Sequence, residues 1–137
     1  MLTLGALEAV VQALGNQLGA PAELLPTFGH NRDFAYPEVR VSRAGYHWVI
    51  VERGREEENL VFQQVEELLF IVFSSVTFSM ASTYEVRHRI EGQDSRILLF
   101  AKQVELLAQL DASWAARRRA EADWFLGERT GPRPEPF

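Results

Sequence analysis

Apolar residues recur at alternating steps of three and four along the start of the chain, the spacing of one helix face. The series consists of Leu4, Leu7, Val11, Leu14 and Leu18. Thr3 stands in front of it and offers a side-chain oxygen that can cap a helix start. The pattern predicts a helix over residues 3–18, then one short turn over residues 22–25 between Pro21 and Pro26, and an irregular segment over residues 27–35.

From residue 36 the period of the pattern changes to two, which is typical of a half-buried strand. Gly45 follows Arg43 and Ala44 and predicts a tight turn with positive φ between two strands. The resulting hairpin would present one apolar face, made of Val39, Val41, Tyr46, Trp48 and Ile50. Gly54 and residues 55–58 predict a second turn, and residues 59–62 predict a third short strand.

A long helix follows over about residues 64–90, and it is apolar nearly all round between Leu68 and Phe78, as expected of an element surrounded by others. Gly92 ends it, Asp94 or Ser95 caps a further helix, and Asp111 with Ser113 caps the last one. The fold class predicted is α+β, with a small antiparallel hairpin or three-stranded meander packed with about four helices around the long buried helix. We expect one domain over residues 1–137, with residues 127–137 as an extended proline-rich tail.

The amino-acid composition excludes several classes of protein to which this chain could otherwise belong. The chain has 137 residues, a formal net charge of −5 and no cysteine, which excludes disulfide frameworks and thiol catalysis. A negative charge disfavours nucleic-acid binding and favours a basic partner. The first fifteen residues lack the pattern of a secretory signal, and the apolar run at residues 68–81 is short for a bilayer span. We therefore predict a protein with no membrane or nucleic-acid partner, and the absence of cysteine permits a cytosolic location.

Motifs of catalysis and metal binding are missing from the sequence. His30, His47 and His88 lack the three- or four-residue spacing of a zinc site on a helix. No G-x-S-x-G motif occurs, and no glycine-rich loop opens a helix after a strand. The sequence predicts no catalytic residue, metal or cofactor, and a protein that is not an enzyme.

The stretch from Glu85 to Asp94 is dense in charge. Glu85 and Arg89 lie four residues apart, and Glu91 and Asp94 follow where one helix ends and the next begins. One interpretation is a structural corner in which the charges pair around the helix end. The alternative is a fixed polar cluster of Glu85, Arg89, Glu91 and Asp94 that receives a ligand or partner.

Two further charged runs stand out. Arg117, Arg118 and Arg119 lie close to Glu121 and Asp123, which predicts a solvated helix face. The acidic run Glu56–Glu58 is expected in a turn, either as a solvated loop or as a projection that meets a basic protein surface.

Several short motifs, occurring in order along the sequence, resemble those of the bacterial polymorphic-toxin immunity family known as immunity protein 63. They are Gly45–Trp48 (GYHW), Glu52–Gly54 (ERG), Ser75–Ala81 (SVTFSMA), Arg89–Asp94 (RIEGQD) and Leu99–Gln103 (LFAKQ). The resemblance spans about residues 36–125.

This resemblance implies a small cytoplasmic protein that binds the active domain of a cognate toxin and blocks it without doing chemistry. The toxin surface would be basic, and the protein itself a monomer or a homodimer. The expected toxin-binding residues are Tyr46, Trp48, Glu56, Glu57 and Glu58. The motifs that carry the resemblance can serve the shared fold instead of binding the toxin. The alternative is a ligand-binding or oligomerisation module without a toxin partner.

Overall fold

The structure is a computed structural model that describes residues 1–127. In chain order its elements are α1 (Leu4–Leu18), a 3-10 turn (Ala22–Leu24), β1 (Thr27–Phe28), β2 (Glu38–Ser42), β3 (Gly45–Glu52), β4 (Arg55–Phe62), α2 (Val65–Arg87), α3 (Ser95–Ala108) and α4 (Ala112–Leu126). The α+β class predicted from the sequence is confirmed. Two compact units divide the chain, residues 1–72 and residues 73–137, with the boundary inside α2. The single-domain assignment stays a prediction.

A sheet forms the first unit's centre, with the strand order β1-β2-β3-β4. β2, β3 and β4 form the predicted antiparallel meander, and the two-residue β1 pairs in parallel with β2. Gly45 has a φ of 138°, and a Cβ at this position would collide with the carbonyl oxygen of Phe62. The Gln63 side chain donates to the carbonyl of Ala44 at 2.6 Å, so the β2–β3 turn is fastened to the end of β4.

Local sequence explains the first helix. The Thr3 hydroxyl accepts a hydrogen bond from the N–H of Ala6 at 3.1 Å, and Gly19 ends the helix in the left-handed conformation. Leu7 and Val11 on its apolar face are fully buried. The helix predicted over residues 3–18 is therefore confirmed, including its cap.

Three helical segments build the described part of the second unit. They are residues 73–87 of α2, the whole of α3 and the whole of α4. Asp94 caps α3 by accepting from the N–H of Arg96, and Asp111 caps α4 by accepting from Ser113 and Trp114. The structure thus selects Asp94 from the two predicted caps of α3, Asp94 and Ser95, and the cap predicted at Asp111 is also present.

Among the described residues, α2 alone is long and apolar enough to cross a bilayer by length and composition, with a mean hydropathy of 1.4 over its most apolar window. Of that window, 56% is buried inside the fold. Burial of this kind is what the core helix of a folded domain shows, and the long central helix predicted from the sequence is confirmed.

Three sequence predictions need correction. The acidic run Glu56–Glu58 lies within strand β4 and not in a turn, because the two-residue loop Arg53–Gly54 is enough to reverse the chain. Thr27–Phe28 is a short strand where an irregular segment was expected. α2 ends at Arg87, three residues before the predicted end. Of the predicted tail, residues 128–137 lie outside the described part of the chain.

Candidate functional site

One face of the sheet in the first unit carries a continuous network of polar side chains. Across β2, β3 and β4, Arg40 lies opposite His47, and His47 lies opposite Val61. In the same way Glu38 lies opposite Val49, and Val49 lies opposite Asn59. Side chains at such paired positions project from the same face of a sheet. We call this network the polar face, and its members are Asn31, Glu38, Arg40, Ser42, His47, Glu56 and Asn59.

Arg40 joins the two carboxylates of the polar face. Its guanidinium donates to both oxygens of Glu38, at 2.9 and 3.1 Å, and to Glu56 at 3.1 Å. Glu38 is only 2% exposed, so this paired geometry compensates for its burial. The hydrogen bond that Arg40 donates to Glu38 raises the pKa of Arg40. Hydrogen bonds from Asn59 and then Arg40 lower the pKa of Glu56, which keeps that carboxylate ionised.

His47 extends the network toward the β2–β3 turn. Asn59 donates its amide N–H to Glu56 at 3.1 Å, so its carbonyl oxygen is left to accept from His47 Nδ1 at 2.9 Å. His47 Nε2 is hydrogen-bonded to the Ser42 hydroxyl at 2.6 Å, and the Ser42 oxygen accepts the N–H of Ala44 at 3.1 Å. Because the Asn59 oxygen can only accept, this contact places a proton on His47 Nδ1. Each member is held by its neighbours, so the polar face is rigid before any partner arrives.

β4 forms one edge of the sheet, and it carries the acidic run. Glu56, Glu57 and Glu58 are all exposed. Glu58 faces Ile50 and Glu56 faces Val51, so Glu57 is the extra residue of a β-bulge. Charges and a bulge on an edge strand also prevent edge-to-edge pairing between molecules, which gives this run a structural role beside any role in binding.

Tyr46 and Trp48 were expected at a toxin-binding surface, and the structure places both inside the first unit. They are 4% and 6% exposed. The Tyr46 hydroxyl accepts from the N–H of Leu2 at 2.7 Å. The register brings Tyr46 beside Val41 and Trp48 beside Val39, on the sheet face opposite to the polar face. Their participation in binding stays a prediction, and their present side-chain positions suit core packing.

Next to the β3–β4 turn lies a loop that we call the Phe34 loop, residues Asn31–Tyr36. Its residues Asp33, Phe34 and Ala35 all have left-handed backbone angles, with φ of 58°, 57° and 60°. Each non-glycine residue in this region costs roughly 1–2 kcal/mol. Phe34 is 84% exposed, which makes it the most exposed large apolar residue in the described chain. Nothing in its local sequence signalled this conformation.

The second unit contains the predicted polar corner, and only part of it is joined. Arg89 donates two hydrogen bonds to Glu85, at 3.0 and 2.7 Å, and lowers the pKa of that carboxylate. Asp94 pairs instead with Arg96 at 2.7 Å, which lowers its pKa to about 2. Glu91 is exposed. The structure thus forms two separate pairs, and this arrangement fits a structural corner in which Asp94 also caps α3.

A buried polar cluster in the second unit was missed by the sequence analysis. The amide of Gln103, fully buried, donates to the carbonyl of Ser74 at 3.0 Å and to the Thr77 hydroxyl at 3.3 Å. Its oxygen accepts from Arg118 Nε at 2.7 Å, and Arg118 contacts Glu121 at 3.2 Å. Arg118 was expected on a solvated face, but it is 7% exposed. The signal that was available is a glutamine on the apolar stripe of α3.

The described residues around the polar face form neither a metal-binding cluster nor a catalytic triad. Within residues 1–127, no group of three or more His, Asp or Glu side chains is arranged to hold a metal ion. Ser42 and His47 are within hydrogen-bond distance, yet His47 Nδ1 binds an amide oxygen and not the carboxylate that orients the base of a catalytic triad. The exposed polar side chains of this face, among them Glu56 and Asn59, are suited to binding a complementary surface.

Comparison with known families decides the assignment. A family model described as immunity protein 63 matches residues 42–123, which is more than half of the chain. This protein belongs to the immunity protein 63 family. The resemblance identified from the sequence motifs is therefore confirmed. Neither a curated protein nor a solved structure matches the chain.

The motifs by which the sequence resembles the immunity protein 63 family have structural roles in this chain. The motif GYHW supplies the turn at Gly45 and a link of the polar face at His47, and ERG supplies the Arg53–Gly54 turn. SVTFSMA and LFAKQ meet in the second unit, where Thr77 contacts Gln103. In this chain these motifs support turns and packing, whereas the Phe34 loop lies outside the matched segment, residues 42–123.

Proposed function

We propose that this protein neutralises a cognate bacterial toxin by binding the toxin's active domain and occluding it. Immunity proteins are generally non-enzymatic and soluble, so the inhibitor would act in the cytoplasm as a binding partner and would turn over no substrate. Membership in the immunity protein 63 family is the observation that carries this proposal.

The polar face and the acidic edge of β4 support the first unit as the binding surface. Arg40, His47 and Asn59 are fixed by hydrogen bonds before binding, so little side-chain entropy would be lost when a partner covers them. Glu57 and Glu58 are exposed and have no ion-pair partner among the described residues, so they are available to a basic surface. The formal net charge of the chain, −5, is also negative and would attract the same basic surface.

Exposed charges of this kind act on the rate of encounter more than on the lifetime of the complex. Electrostatic steering accelerates protein association by roughly 10-fold or more at low ionic strength, and salt screens it over about 10 Å at 0.1 M. A partner with a basic substrate-binding surface would therefore associate with this protein quickly and in a salt-dependent manner.

The experiment co-expresses this protein with the toxin encoded beside its gene and follows growth of the host. Rescue of growth by the parent protein, with a stable complex of the purified toxin domain, is the expected result. Absence of both rescue and complex formation would overturn the proposal.

Stopped-flow association then tests the surface. Glu57→Gln/Glu58→Gln should lower the association rate constant about 3- to 10-fold at low salt and leave the dissociation rate nearly unchanged. Glu91→Gln/Glu105→Gln is the control, because it removes two exposed carboxylates from the second unit, of which Glu105 pairs with Lys102 at 3.3 Å. Equal rates for all three proteins at low salt would remove the β4 edge from the interface.

A further inference from the structure

Backbone strain in the first unit is concentrated at one place. Within residues 1–127, the non-glycine residues with positive φ are Asp33, Phe34, Ala35 and Arg53. All four lie at the end of the sheet where the Phe34 loop meets the β3–β4 turn. Residues in such sparsely populated conformations persist only where surrounding contacts enforce them, and they cluster at functional sites.

Hydrogen bonds on both sides enforce the conformation. The N–H of Asp33 donates to the Asn31 side chain at 2.6 Å, and the Asp33 carboxylate accepts from the N–H of Gly54 at 3.3 Å. The N–H of Ala35 donates to the carbonyl of Val51 at 2.8 Å. The loop is thus bonded to the sheet directly before and directly after Phe34.

Tyr36 secures the base of the loop. Its hydroxyl lies 2.6 Å from the carbonyl oxygens of Glu23 and Leu25, and the Arg32 guanidinium stacks 4.4 Å from the centre of its ring. These contacts fix the residues on either side of the exposed phenyl group. The loop therefore resembles a support for one side chain more than a flexible connection.

The charged surroundings of Phe34 differ from those of the acidic edge. Arg32, Arg53 and Arg55 are exposed, and none of them has a carboxylate partner among residues 1–127. Aromatic and arginine side chains dominate the residues that carry binding energy in protein interfaces, where neighbouring contacts exclude water. Arg32 stacks on Tyr36, whereas Arg53 and Arg55 flank the turn residue Gly54 that is bonded to the loop, so an exposed phenyl group and two available guanidinium groups give this end of the sheet that composition.

We propose that Phe34 is the apolar anchor of the toxin interface and inserts into an apolar pocket of the toxin whose rim carries carboxylates or carbonyl oxygens. This inference rests on the proposed function and adds to it the chemistry of the partner's surface. The partner then carries two features, an acceptor-rimmed pocket for Phe34 and basic groups for Glu57 and Glu58. Because the Phe34 loop lies outside the segment matched by the family, it can set which toxin is recognised.

The first test measures the dissociation constant of the purified toxin domain with variants of Phe34. Complete burial of a phenylalanine side chain corresponds to about 10- to 100-fold in affinity. Phe34→Ala should weaken binding by at least 10-fold, mainly through faster dissociation, and Phe34→Leu by less. Val86→Ala is the matched control, because Val86 is 66% exposed on α2 and should change affinity less than 2-fold.

A second variant tests the role of the fixed backbone. Ala35→Gly removes the steric cost of the left-handed angle and releases the loop without touching Phe34. We expect weaker toxin binding by about 2- to 5-fold, with no loss of thermal stability. A matching readout is amide hydrogen exchange of Ala35 in the free protein, which should be slow in the parent chain and faster in the variant.

The outcomes separate the two proposals. If the parent protein binds the toxin and Phe34→Ala binds equally well, the anchor is refuted while the neutralising function stands. If the parent protein neither binds nor protects, both proposals fall. Weakened binding for Phe34→Ala together with unchanged folding would support the anchor.

Discussion

Gln103→Met is a demanding test of the buried cluster in the second unit. The substitution keeps the volume of the side chain and removes its amide, so Arg118 Nε loses the acceptor that lies 2.7 Å away. A hydrogen bond to a charged buried group contributes about 1.5–3 kcal/mol. We therefore expect a loss of about 2–3 kcal/mol in the free energy of unfolding, with little compensation from the added apolar surface.

Urea unfolding followed by tryptophan fluorescence measures this loss, because Trp114 stacks against Phe73 at 6.2 Å in the same unit. The midpoint should fall by about 1–2 M urea and the melting temperature by roughly 6–12 °C. Gln12→Met, at an exposed position of α1, is the control and should cost less than about 0.5 kcal/mol.

A double-mutant cycle decides whether the cluster acts as a unit. Arg118→Met alone removes the cation that pairs with Glu121, and burial already lowers the pKa of Arg118. The double variant Gln103→Met/Arg118→Met should cost about 1–2 kcal/mol less than the sum of the single variants. Simple additivity, or a cost below about 0.5 kcal/mol for Gln103→Met, would refute the reasoning.

Two further predictions concern stability. Gly45→Ala should destabilise the first unit by about 2 kcal/mol or more, because φ is 138° and the new Cβ would collide with the carbonyl oxygen of Phe62. Gly5→Ala in α1 is the control and should be neutral or stabilising. Thermal melting measures the difference between the two variants. Asp94 has its pKa lowered to about 2, so its charge stabilises the fold above the ordinary pKa near 3.8, and this contribution is lost as the pH falls toward 2. Asp94→Asn keeps the helix cap and removes the charge, so its urea midpoint should lie below the parent's at pH 6 and converge with it near pH 2; a constant difference across this range would contradict the assignment.

Local signals in the sequence were sufficient for most of the fold. α1, its Thr3 cap and the turn at Gly45 follow from periodicity and from residue chemistry that acts over a few positions. The acidic run was misplaced because the Arg53–Gly54 turn is shorter than expected, which extends β4 back to Arg55. β1 was missed because two residues carry no period, and only pairing with β2 defines them.

The candidate site was harder to predict, because its geometry depends on contacts that are distant in sequence. Glu85 and Arg89 pair as the helical spacing predicted. The bonds between Arg40 and Glu56 and between His47 and Asn59 depend on strand register, including the bulge at Glu57. The left-handed angles of Asp33 to Ala35 depend on bonds to β3 and its turn, and no residue type in the loop demands them. Tyr46 and Trp48 were expected at the binding surface because they are aromatic residues on a sheet face, and in the structure this face packs into the core, where large aromatic residues are commonly buried.

The parallel pairing of β1 with β2 joins the two chain segments that flank the Phe34 loop. The N–H of Thr27 donates to the carbonyl of Pro37 at 3.0 Å, and the N–H of Gly29 donates to Val39 at 2.9 Å, so both stems of the loop are joined independently of its tip. Loop closure costs little more as a loop grows, since doubling its length adds about 0.6 kcal/mol. Residues 30–36 are therefore a natural grafting position, where a foreign segment could be exchanged to retarget the scaffold while the sheet below stays intact.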